Sequence, residues 1–70
     1  MTYRDVIRKL KRLGCQEIPR KTSGSHRTWH NPQTRSLTSL PDWGGKDLKL
    51  GTVKDAVKDL GILWQDFEKA

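Results

Sequence analysis

The chain reads as an α+β unit. A helix is followed by three short strands, a second helix and a short helical tail, with the helices on one face of a three-stranded antiparallel sheet. Three observations lead there. Apolar residues recur every three or four positions near both ends of the chain. Between those stretches, polar and apolar residues alternate in short runs bounded by Pro, Asn and Gly. No linker, repeat or low-complexity tract divides the 70 residues, so residues 1–70 form a single domain. A domain this small buries only about 60% of the surface its unfolded chain exposes, which leaves no room for a large enclosed cofactor.

Each element follows from local chemistry. Thr2 can cap a helix running to about Leu13, with Tyr3, Val6, Ile7, Leu10 and Leu13 on one stripe. Gly14 supplies its stop, and the cations near that end complement the helix dipole. Residues 15–19 make a short strand anchored by Ile18, and Pro19 marks an edge or a strand end. Residues 20–25 form a polar loop.

His26 to His30 is the second strand. Alternation puts His26, Thr28 and His30 on one face, and Arg27 and Trp29 on the other. Trp29 is the natural core residue, so the histidines face outward. Asn31 and Pro32 open a turn. Arg35 to Leu40 is the third strand, with Leu37 and Leu40 as its apolar residues, and Pro41 ends it. Thr52 is expected to cap the next helix with Asp55 as capping-box partner. Val53, Ala56, Val57 and Leu60 form that helix's stripe, and Gly61 closes it. Ile62, Leu63, Trp64 and Phe67 form an apolar tail expected to close the core.

Charge points toward the partner. The net charge is +6 and is unevenly placed. Residues 1–35 carry nine Lys/Arg against two acids, a balance of +7, whereas residues 36–70 carry five against six, a balance of −1. A one-sided basic field attracts polyanions. The single cysteine, Cys15, excludes an internal disulfide and suits a reducing, cytoplasmic setting. It reads as a small core residue. No apolar run reaches the roughly 18 residues of a membrane span.

Ser23 to His30 concentrates the chemistry: both histidines, a glycine, two serines, an arginine and a tryptophan. His26 falls at the mouth of a strand, next to backbone at Gly24 that can approach a phosphate closely. A shared metal is unsupported, because four strand residues separate His26 from His30 by about 13 Å and no Cys or carboxylate cluster completes a site. No nucleophile elbow or phosphate loop is present.

One histidine in a basic field does suit RNA cleavage. RNA supplies its own nucleophile, the 2′-hydroxyl. The protein need only remove that proton, protonate the 5′-oxygen leaving group and stabilise the phosphate. Imidazole can serve as base or acid near neutrality, and cations with backbone N–H groups can hold the phosphate. Neither metal nor cofactor is required. The alternative is a non-catalytic RNA-binding module of the same fold, with His26 as an ordinary surface residue. Major-groove DNA binding is disfavoured, since no recognition helix follows the first after a short turn.

Several features together resemble the HicA-type toxins, small mRNA interferases of bacterial and archaeal toxin–antitoxin pairs. They are the basic first helix closing on Leu13-Gly14, Gly24-Ser25-His26 at the second strand, Trp29, Asn31-Pro32, Pro41, and Leu50-Gly51-Thr52 before a helix ending Leu60-Gly61. The resemblance implies a fold like that of double-stranded-RNA-binding domains, ribosome-independent mRNA cleavage with His26 as the catalytic residue, and a HicB-type antitoxin that blocks the site. Arg20, Lys21, Gly24, Ser25 and Arg27 would then position the RNA backbone, and Trp43 would stack on a base. An antitoxin covering a basic face is expected to be acidic and to bind with salt sensitivity. Two positions depart from the family pattern. Many members carry a second histidine after the proline ending strand three, where this chain has Asp42-Trp43, and many carry a Lys before Gly-Ser-His, where this chain has Ser23.

Overall fold

The computed structural model describes residues 1–19 and 26–70. The loop expected over residues 20–25 lies outside the described residues. The element order is α1 (Tyr3–Arg12), β1 (Gln16–Ile18), β2 (His26–Asn31), β3 (Ser36–Pro41), α2 (Leu50–Asp59) and α3 (Trp64–Lys69). The three strands form one antiparallel sheet in the order β1-β2-β3.

Thr2 caps α1 as its chemistry dictates. The Asp5 amide donates to the Thr2 hydroxyl at 3.3 Å, and the Thr2 amide donates to Asp5 Oδ2 at 2.9 Å, so two otherwise orphaned donors are satisfied reciprocally. Tyr3, Val6 and Leu10 are buried, while Ile7 and Leu13 pack partly buried against them. Gly14 follows with φ +89°, the left-handed turn that favours glycine.

The sheet buries one face and leaves the other open. Trp29, Thr38 and Leu40 point inward among α1, α2 and Phe67. The cross-strand register sets Ile18, Thr28 and Ser39 side by side on the opposite face, and Gln16, His30 and Leu37 beside them. The register decides the place of Leu37, and it overturns one sequence expectation, Ile18 as the anchor of β1. Leu37 is 57% exposed, because a residue paired with outward-facing His30 must itself face outward. Thr38 takes the inner position in its place and donates its hydroxyl to Asp59 at 3.3 Å. Ile18 likewise sits half-buried on the outer face, and the anchor of β1 is Cys15, buried just before the strand.

The second helix begins earlier than its sequence suggests. Lys49, not Thr52, is its N-cap, without a side-chain cap hydrogen bond. Val53 N already donates to Lys49 O at 3.1 Å, which places Thr52 inside the first turn. The expected stripe nonetheless holds, with Val53, Ala56, Val57 and Leu60 all buried.

The C-terminal tail does reach the core, through Phe67, which is fully buried and stacks on Trp64 with ring centroids 5.2 Å apart. Leu63 is exposed, contrary to its expected core role, because it caps α3 from outside the first turn. Lys9 of α1 donates to the carbonyls of Glu68 and Ala70 at 3.0 and 3.1 Å, tying the end of α3 to the first helix. Among the described residues, no helix is long and apolar enough to cross a membrane.

Candidate active site

His26 is the first residue of β2 and is exposed. Its position follows from the strand's pattern. Trp29 must be inside, so the residue three before it falls on the opposite face. Across the sheet His26 faces Pro41, and two residues further on stands Trp43, 42% exposed. Trp43 and Lys46 line a shallow depression of about 380 Å³. Trp43 thus lies two residues beyond the cross-strand partner of His26, with Lys46 beside it in the same depression.

Arg27 is placed differently. It pairs across to Leu40 and lies on the helix side of the sheet. Its guanidinium donates to Glu17 Oε2 at 3.1 Å and to Asp42 Oδ2 at 3.3 Å. The hydrogen bond to Glu17 and its charge raise the Arg27 pKa further, so the group is permanently cationic but divided between two carboxylates. A phosphate contact there must compete with both. These three side chains, with Tyr3 and Ile7, line a cleft of about 620 Å³ on the helix side. Sequence reasoning missed this cluster. The alternation that turned Trp29 inward also turned Arg27 inward, and that was its only signal.

Trp29 and Tyr3 form the floor beneath the strand. The indole Nε1 donates to the Tyr3 hydroxyl at 3.0 Å in a buried contact. Burial raises the Tyr3 pKa, more than the bond from Trp29 lowers it. At the far end of β2, the buried Asn31 donates to Leu60 O at 2.9 Å and accepts from Gln33 N at 3.1 Å. The strand that carries His26 is thus pinned to α1 at its middle and to the end of α2 at its far end.

His30 lies on the same face as His26. Its Nδ1 lies 3.2 Å from Gln16 O, and because a carbonyl only accepts, the ring nitrogen is the donor in that contact. Among the described residues, no group of three or more His, Cys, Asp or Glu is placed to hold a metal ion. Cys15 is buried, and burial raises its thiol pKa, which keeps it a core thiol rather than a nucleophile. Arg20, Lys21, Gly24 and Ser25 lie outside the described residues.

The family model described as the HicA toxin of bacterial toxin–antitoxin matches residues 3–62. No curated protein and no solved structure matches the chain. The match spans α1, all three strands and α2, including His26 and the Trp29 floor beneath it. The chain belongs to the HicA toxin family, the toxin side of toxin–antitoxin systems, and so has an antitoxin as its partner.

Proposed function

We propose that this toxin is an endoribonuclease that cuts mRNA in the cytoplasm without a metal ion, with His26 as general acid/base, and that a HicB-like antitoxin blocks the site. The observation that carries the reading is the placement of His26. It is an exposed imidazole on a sheet face that carries no acid among the described residues, while Glu17 and Asp42 are bound by Arg27 on the other side. A polyanion can approach His26 without meeting a carboxylate on that face.

The chemistry is an internal transesterification. The 2′-oxygen loses its proton and bonds to the adjacent phosphorus, the bond from phosphorus to the 5′-oxygen breaks, and the leaving oxygen takes a proton. The products are a 2′,3′-cyclic phosphate and a 5′-hydroxyl. His26 carries a proton in this exchange. Arg20, Lys21, Ser25 and the backbone at Gly24 are assigned to the phosphate. Trp43 is assigned to a flanking base. Arg27 contributes chiefly by fixing the strand end, since its guanidinium is already shared between two acids.

The test uses purified chain, RNA and a chelator. Cleavage that persists with EDTA and disappears in a folded His26→Ala protein supports the proposal. A shifted but uncut RNA band supports the binding-module alternative instead.

A further inference from the structure

Strand β2 and the segment after β3 are joined through Arg27. Its Nε donates to Asp42 Oδ2 at 3.3 Å and its Nη1 donates to Glu17 Oε2 at 3.1 Å, so one guanidinium ties β1, β2 and the residue after β3. The β2–β3 pairing ends where His26 faces Pro41, and proline has no N–H to donate. The Arg27–Asp42 bond carries the connection past that pair. It links the residue after His26 to the residue before Trp43. We propose that Arg27 and Asp42 are positioning residues, whose bond holds the Trp43 ring in place to stack on an RNA base. The proposal rests on the assignment of Trp43 to a base in the ribonuclease reading.

The two oxygens of Asp42 have separate tasks. Oδ2 accepts from Arg27, and Oδ1 accepts from Gly44 N at 3.1 Å. That second bond closes a side-chain turn around Trp43, completed by Gly44 at φ +64°. Lys46 N donates to Trp43 O at 3.3 Å. Beyond it, Leu48 N donates to Met1 O at 2.8 Å and the Met1 amine to Asp47 Oδ1 at 3.0 Å. Trp43 therefore sits in a turn anchored on both sides, with its ring 42% exposed. An aromatic ring already held in its binding geometry loses less freedom when a base stacks on it. Charge alone gives Asp42 no place near a polyanion, since a carboxylate repels phosphate. The bond it accepts from Arg27 supplies the reason. Both side chains of that bond are partly exposed, so it adds little to global stability and its effect is local.

Asp42→Asn separates the two tasks. An amide keeps one acceptor oxygen for Gly44 N, but its NH2 group cannot accept from Arg27. The change also removes a negative charge, so electrostatics alone would tighten RNA binding. Loss of positioning acts in the opposite direction. Binding of a short mixed-sequence RNA is measured for the His26→Ala protein, and for that protein with Asp42→Asn, Trp43→Ala or both. Trp43→Ala is expected to weaken binding about five- to hundredfold and Asp42→Asn about three- to tenfold. Added to Trp43→Ala, Asp42→Asn should cause no further loss, because it acts through the ring. Melting temperatures should stay within about 8 °C of the parent. In a Trp64→Phe chain, where the other indole is the buried Trp29, Asp42→Asn and Arg27→Gln should each raise acrylamide quenching of Trp43. RNA binding by Asp42→Asn as tight as the parent's or tighter overturns the proposal. So does an equal loss with and without Trp43, or unchanged quenching. Normal RNA binding by Trp43→Ala removes the base contact and the positioning together. If the loss in Asp42→Asn requires Trp43 but the native chain cuts no RNA, the positioning stands and the ribonuclease reading falls.

Discussion

At the scale of single residues, the site depends on what lies under it. Trp29 is 1% exposed, and its indole N–H has the Tyr3 hydroxyl as acceptor at 3.0 Å. Tyr3→Phe keeps the ring and removes that acceptor, leaving a buried donor unsatisfied. Such a loss costs about 1–3 kcal/mol. Urea unfolding is expected to show a lower midpoint with an unchanged slope, whereas an unchanged midpoint would mean that the indole finds another partner. Leu37 shows where single residues mislead. A leucine in a strand is counted toward the core by type, but its face is set by the register with His30. Parity along β3 carries that information, since Leu37 and Leu40 stand three residues apart and so face opposite sides.

At the scale of elements, helix ends decide where the strands sit. The Asp5 carboxyl is held below its ordinary value, first by the Thr2 amide and then by the Thr2 hydroxyl. A depressed acid contributes stability that is present above its unfolded value and is lost as pH falls through its folded value. Asp5→Asn should therefore be less stable than the native chain at neutral pH, and the gap should close below about pH 4. A gap independent of pH would place the effect elsewhere. Thr2→Ala removes the cap itself, at about 1 kcal/mol.

The junction after α2 is tighter. Gly61 has φ +71°, and a Cβ there would lie 2.8 Å from Thr34 Cγ2. Thr34 in turn donates its hydroxyl to Leu60 O at 2.8 Å and has little freedom to retreat. Gly61→Ala is expected to cost about 1 kcal/mol or more, read as a lower melting temperature. An unchanged melting temperature would show that the hairpin loop yields.

Gly14 and Gly61 were legible as helix stops, and Thr2 as a cap, because each signal is local. The start of α2 was not. Thr52 offers cap chemistry, but the chain enters the helix at Leu50 with no side-chain cap at all. Only the packing of the whole stripe decides that boundary.

At the scale of the molecule, the sheet separates two chemistries. Its inner side, with the helices, holds the core and the Glu17–Arg27–Asp42 cluster. Its outer side holds His26 and a neutral, partly apolar surface. The element order and the outward histidines followed from periodicity alone. The carboxylates that bind Arg27 did not, since they come from β1 and from the loop after β3, far apart in sequence. The central claim is that His26 transfers a proton while the RNA's own hydroxyl breaks the strand. Mapping the ends of cleaved RNA tests it most directly, with the native chain and folded His26→Ala compared in EDTA. The account predicts 5′-hydroxyl and 2′,3′-cyclic phosphate ends from the native chain and intact RNA from His26→Ala. Ends bearing a 5′-phosphate, or equal cutting by His26→Ala, would contradict it.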